Sequence, residues 1–185
     1  CAITVQRSTR HLAVMVGDLL ELVRSRLGKR LPVERAPMDM ADAAREAIAR
    51  ACAGQPECDP TLEVQGDTRG TWDPRRLDQM LQNLIGNALQ HGSNKREVTL
   101  RLKGEADSVR LTVHNDGIPI PTDAIPTIFD PLVRSASEEL GEPTTSLGLG
   151  LFIVKEVVDG HQGTIEVSAS ENDGTTFTVV LPRKV

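Results

Sequence analysis

Aromatic side chains are almost missing from this chain: they make up 2% of it, with no tyrosine, one tryptophan and three phenylalanines. A surface for single-stranded nucleic acid needs rings on which bases stack, and a duplex surface needs a stripe of cations. The formal charge of −5 argues against the second as well. The one basic cluster, Arg24, Arg26, Lys29 and Arg30, follows a helical pattern, where cations complement the carbonyl end of the dipole. No nucleic-acid partner is expected. There is no apolar run of membrane-spanning length and no signal peptide, so the expectation is a cytoplasmic segment without membrane contact. The cysteines are few and odd in number. Cys1, Cys52 and Cys58 lack zinc-ribbon spacing and are expected to be reduced thiols, in keeping with the same compartment. The chain opens on Cys1 in mid-pattern and not on methionine, which leads one to expect a piece of a longer protein.

What is present suffices for one ordinary core and an appended helix: 185 residues, 39% of them hydrophobic. Val5, Leu12, Met15, Leu19 and Leu22 recur at helical spacing, and Val16, Leu20 and Val23 widen the stripe. Such a helix either packs on its own domain or joins a bundle or dimer. The near-heptad spacing and the polar "GKRLPVERAP" that follows favour the bundle, which divides the chain into residues 1–31 and 32–185. Beyond Pro37 the period alternates. "MDMADAAREAIARAC" reads as a short strand turning into a helix near Asp42, and "LEVQG" and "RGTWD" as a short strand pair. "DPRRLDQMLQNLIGNALQHG" is a strong helix with Asp73 at its N-cap and Pro74 at its first position. "EVTLRLKGEADSVRLTVHND" and "GTIEVSAS…GTTFTVVLP" read as antiparallel hairpins. The expected fold class is α+β, a two-layer α/β sandwich whose mixed, mostly antiparallel sheet carries helices on one face.

Chemistry concentrates in three places. In "TTSLGLGLFIVKEVV", Gly148 and Gly150 stand just before a helix, where bare backbone brings unpaired N–H groups close to an anion; a mobile loop or tight packing would use the same residues. Asn83 and Asn87 lie four apart on one helix face, beside the core stripe of Leu77, Leu81, Leu84 and Ile85. Asparagines are poor helix formers, so these either cap neighbouring loops or offer amide oxygens to Mg²⁺. In "HNDGIPIP" a strand end presents Asn115 and Asp116 as acceptors and Gly117 with no side chain, a pattern that an ordinary turn also explains.

The order "QNLIGNALQH", "HNDGIPIP", "IFDPLVR", "SLGLGLFIVKEVVDGHQGTIEV" and "GTTF" resembles the ATP-binding catalytic domain of sensor histidine kinases, within the superfamily that includes gyrase, Hsp90 and MutL. It runs from Met38 to Val185, and "RSTRHLAVMVGDLLELVRSRLG" is similar to the second helix of the kinases' dimerisation and phosphotransfer hairpin. The resemblance implies a Bergerat-type fold, ATP and Mg²⁺ as cofactors, and transfer of the γ-phosphate to a histidine. Asn87 becomes the metal ligand, and Asn83 stands near metal and phosphates. Gly148, Leu149, Gly150 and Leu151 end a flexible lid, 135–147, and bring N–H groups to the phosphates. Asn115, Asp116, Gly117, Ile120 and Thr175 surround the adenine, and His91 and Arg134 lie by the nucleotide. Further implied partners are a phospho-accepting helix, a response regulator receiver domain and a second copy of the full-length protein.

The departures from the family pattern are specific. Gln90 replaces a phosphate-side lysine or arginine, Leu132 replaces the second phenylalanine of the "FxxF" lid motif, and Asn115 stands where the family has an adenine-reading aspartate. His11 is followed by Leu12 and not by an acid that would help deprotonate it, so the acceptor histidine is expected outside the chain. His114 and His161 are expected to be structural. In the gyrase-like relatives a glutamate four residues before the metal asparagine activates water, and here that position is Asn83. Two alternatives remain beside the kinase: a nucleotide-binding interaction module without phosphotransfer, and a hydrolysing ATPase switch.

Overall fold

Every second residue of Ser108–Asn115 is buried, as is every second residue of Thr175–Leu181, and two strands so patterned must share one covered face. The computed structural model describes residues 16–17, 19–24, 26–28, 31–55, 57–93, 97–133 and 148–184. In chain order the elements are β1 (Ala36–Asp39), α1 (Met40–Ala51), β2 (Thr61–Gln65), β3 (Arg69–Trp72), α2 (Pro74–His91), β4 (Thr99–Gly104), β5 (Ser108–Asn115), a 3₁₀ turn (Ile125–Thr127), α3 (Gly150–Gly160), β6 (Thr164–Ser170) and β7 (Gly174–Pro182). The main sheet has the order β2-β4-β5-β7-β6, antiparallel except for the parallel β2–β4 pair. Its inner face carries Leu100, Leu102, Val109, Leu111, Val113, Phe177, Val179 and Leu181. These pack against Leu77, Leu81, Leu84 and Ile85 of α2, Ile153, Val154 and Val157 of α3, and Ala44 and Ala47 of α1. The α+β two-layer arrangement is the expected one.

Two expectations do not hold. The strands 61–65 and 69–72 are present but do not pair with each other. β2 joins β4 in parallel, with the Thr61 N–H donating to Val98 O at 2.9 Å, while β3 pairs antiparallel with β1. Trp72 is the physical reason. Its indole is fully buried and donates from Nε1 to Pro182 O at 2.7 Å, and the Thr71 N–H donates to Arg183 O, so β3 is held at the end of β7 and away from β2. The cysteines are the second correction: Cys52 and Cys58 form a disulfide, with Cα atoms 5.2 Å apart. Residue 52 ends α1, and the chain folds back through Gln55 N–H donating to Cys52 O and Cys58 N–H to Gln55 O. The thiol argument for compartment falls with it.

Helical residues between 16 and 26 lie against the domain through Leu22, which joins the core, and through an ion pair of Glu21 with Arg76. Val16, Leu19, Leu20 and Val23 stay exposed, so these helical residues touch their own domain through Leu22 and still present four apolar side chains. Among the described residues no helix is long and apolar enough to cross a membrane.

Candidate functional site

The start of α2 is fixed before any functional side chain is reached. The Asp73 carboxylate accepts from the Arg75 and Arg76 N–H groups at 2.9 and 3.1 Å, with Pro74 at the first position, and also from the Glu34 N–H at 2.9 Å. Burial acts to raise its pKa, but these three donors and the Arg76 charge outweigh that and hold it below the usual carboxylate range. The Asp73 N–H in turn donates to Nε2 of His161 at 3.0 Å, and His161 Nδ1 donates to Val157 O at 2.8 Å. This fully buried ring is therefore a neutral tautomer locking the end of α3 to the start of α2, and burial pushes its pKa down. His161 is structural, as expected.

With the helix so anchored, Asn83, Asn87 and His91 follow one another at four-residue steps along a half-buried face beside the core stripe. The far end of α2 is tied to the end of β5. Gly92 bridges to Gly117, and the Ser93 N–H donates to Asp116 O at 2.5 Å. A Cβ on Gly117 would lie 2.1 Å from His91 O. The space that this glycine leaves is thus filled by the helix carbonyl, not left open for a ring. Asn115 is 2% exposed and faces inward beside Thr175, its register partner on β7, which is also buried. Its Nδ2 is buried and has no hydrogen-bond partner among the described residues. Two glycines that the sequence reading passed over crowd it. A Cβ on Gly92 would stand 3.5 Å from the Asn115 Cβ, and one on Gly174, whose φ is +62°, would stand 2.3 Å from Asn115 O. The signal for both was available: each glycine follows directly on a helix or turn.

Asp116 goes the other way. It is exposed, with Oδ1 3.3 Å from Nε2 of His114, whose Nδ1 lies 2.9 Å from Thr176 Oγ1; strand alternation puts His114 on the sheet face opposite Asn115. Of the adjacent pair, only Asn115 is turned into the interior.

The start of α3 completes the cluster. Gly148 has φ +66°, and its carbonyl accepts from the Leu132 N–H at 3.0 Å. Leu149 is buried, Leu151 half-buried, and Gly150 opens the helix. A Cβ on Gly150 would sit 3.4 Å from Asn83 Oδ1, so the first turn of α3 lies directly against the amide face of α2. Side chains cap the N-termini of α1 and α2, but among the described residues none caps α3. Ile120 packs on the core nearby, and the Phe129 ring meets Phe177 edge-on at 6.5 Å. Arg134, the segment 135–147 and His11 lie outside the described residues. Among the described residues no group of three or more His, Cys, Asp or Glu side chains could hold a metal, so an ion here would depend on amide oxygens together with ligands brought by phosphate and water.

The arrangement thus offers a buried amide, a glycine-lined helix start and two further amides on one wall. Residues 72–185 match the family described as "Histidine kinase-, DNA gyrase B-, and HSP90-like ATPase". The probable sensor histidine kinase TcrY of Mycobacterium tuberculosis is 36% identical over 182 residues, and the signal transduction histidine-protein kinase AfsQ2 of Streptomyces coelicolor 35% over 183. The alignments cover 96% and 97% of this chain but only 37% and 32% of those relatives. The mycobacterial sensor histidine kinase MprB superposes with a TM-score of 0.70 at 25% identity, covering 82% of this chain and 99% of that one. Full-length ShkA in complex with AMPPNP superposes at 0.74 and 25% identity, covering 97% and 37%. The chain belongs to the histidine kinase-, gyrase B- and HSP90-like ATPase family, as the ATP-binding catalytic domain of a sensor histidine kinase.

Proposed function

We propose that residues 32–185 hold MgATP and present its γ-phosphate to a histidine outside this chain. In this reading residues 1–31 contribute to a dimerisation helix, and the full-length protein works in the cytoplasm as a homodimer that passes phosphate to a response regulator receiver domain. The observation that carries it is that α2 holds the start of α3 against Asn83, through Gly150, and the buried Asn115 amide at the end of β5 against its own C-terminal end, through Gly92. The residues fit the nucleotide: among the described residues Asn115 Nδ2 has no partner and α3 has no side-chain cap, its first turn lying against the Asn83 amide. Bound MgATP would supply the transferable phosphoryl group and the cation that neutralises its charge.

The chain's own residues bind and orient. Asn115 and Thr175 take the base edge, backbone N–H groups from Gly148 to Leu151 take phosphate oxygens, and the Asn87 carbonyl oxygen takes the metal. Asn83 beside Gly150 can hydrogen-bond but has no basicity near neutral pH, so water is not deprotonated there, and hydrolysis lacks the roughly 10²–10⁴-fold help of a general base. Catalysis is then positioning and electrostatic stabilisation. Calorimetry with and without Mg²⁺ tests the reading: Asn87→Ala should abolish most of the metal-dependent part of ATP binding, and equal metal dependence in parent and variant would remove Asn87 from the site. Rapid multiple-turnover phosphate release, lost in Asn87→Ala, would replace the kinase with the hydrolysing switch.

A further inference from the structure

The buried Asn115 amide carries more than the position of a base. Its Nδ2 is a hydrogen-bond donor, buried and without a partner among the described residues, on a side chain that is 2% exposed. A buried donor that stays unpaired is costly, so a ligand reaching this point is favoured if it brings an acceptor. The neighbouring carboxylate does not change that demand, because Asp116 is drawn to His114 on the other face of the sheet. We infer that Asn115 makes this a purine site tolerant of either an amino or an oxo group at C6, so that 6-oxo purine triphosphates bind alongside ATP. The inference rests on the reading that the base lies at Asn115.

The chemistry is that of a two-ended side chain. Adenine offers a donor at its 6-amino group and an acceptor at N1; a 6-oxo purine offers an acceptor at C6 and a donor at N1. One amide, with its oxygen and its N–H₂ group side by side, matches the first pattern, and the second after half a turn about χ2, a broad and nearly two-fold torsion. A carboxylate in the same place has acceptors only. Held opposite the C6 substituent, it accepts from a 6-amino group but faces a 6-oxo oxygen with no proton between them, and it reaches the N1–H donor of that base only if the base shifts. Discrimination by one such pairing is worth about 1–3 kcal/mol, or roughly 5- to 150-fold.

The test is competition of ATP and ITP, whose base lacks the 2-amino group of guanine, against a fluorescent ATP analogue on the intact chain with Mg²⁺ present. The expected dissociation constants of the parent lie within about tenfold of each other, and Asn115→Asp should shift their ratio towards ATP by about tenfold or more. A parent that prefers ATP by more than about tenfold overturns the inference, as does an Asn115→Asp protein that binds ATP with an unchanged ratio. Should Asn115→Asp fail to fold, the parent ratio decides alone. Displacement by neither nucleotide, or no binding of the analogue, would instead overturn the underlying placement of the base.

Discussion

Replacing Gly117 by alanine perturbs the joint on which the site depends. The added Cβ would lie 2.1 Å from His91 O, 3.1 Å from His91 C and 3.2 Å from Gly92 Cα, all of them backbone atoms that cannot rotate away. Ordinary Cβ–oxygen contact is about 3.3–3.6 Å, so the end of α2 must retreat by about 1.2–1.5 Å. That retreat breaks the Gly92–Gly117 bridge and the Ser93 N–H bond to Asp116 O. Overpacking costs about 1–3 kcal/mol and each of the two lost hydrogen bonds about 0.5–1.5, which together give a destabilisation of about 2–6 kcal/mol. Asn87 lies one turn before His91, so nucleotide affinity should fall as well. Gly86, in the same helix, supplies the opposite sign. It is exposed, a Cβ there meets nothing within 4 Å, and alanine should stabilise by about 0.5–1 kcal/mol through helix propensity. Urea unfolding of both variants, with nucleotide titration of each, checks the pair. Gly117→Ala within about 0.5 kcal/mol of the parent and with unchanged affinity would refute the coupling of α2 to β5.

His161 should make stability rise with pH. Its folded-state pKa is pushed below the ordinary 6.5 by burial and by Arg35, against the pull of Asp73 and the Val157 carbonyl, so the unfolded chain binds more protons in that window. Its contribution is complete above about pH 6.5 and is lost as the pH falls through that value towards the lower folded pKa. His161→Leu should flatten this slope and, by leaving the Asp73 N–H unpaired, cost about 1–3 kcal/mol at pH 8 in urea unfolding; a slope that survives would assign it to other groups. Asp73→Ala should cost about 1–2 kcal/mol at neutral pH. Because the carboxylate is held below its ordinary 3.8, that difference should persist above this pH and shrink as acid takes the pH through the lower folded value, which acid titration of both proteins would show.

Local patterns are legible in the sequence itself. Asp73-Pro74 and the stripe of Leu77, Leu81, Leu84 and Ile85 define α2, because capping, proline placement and helical period all act within a few residues. The two hairpins, β4–β5 and β6–β7, were equally readable, since alternation on both sides of a short turn leaves antiparallel pairing as the simple solution. Asn83 and Asn87 belong to the same class: spacing alone puts them on one face. The family resemblance rests on such local strings in order.

Tertiary structure decided what depends on partners far apart in the chain. β2 and β3 were rightly read as strands and wrongly paired, because a strand's neighbour is chosen by whichever edge buries its side chains, and the buried Trp72 carried β3 to the end of β7. The Cys52–Cys58 bond followed from a fold-back that residue counting does not reveal. Only the pleat of β5, paired to β7, turned Asn115 inward and left Asp116 with His114, although the two are adjacent and of the same shape. Only the bridge to Gly92 showed that Gly117 is glycine to admit a helix carbonyl. Residue type and spacing act over one turn of helix or one strand repeat and therefore determined the elements and their chemical inventory. Which side chains meet, and which buried amide is left wanting a partner, is set by long-range packing that a single sequence does not display.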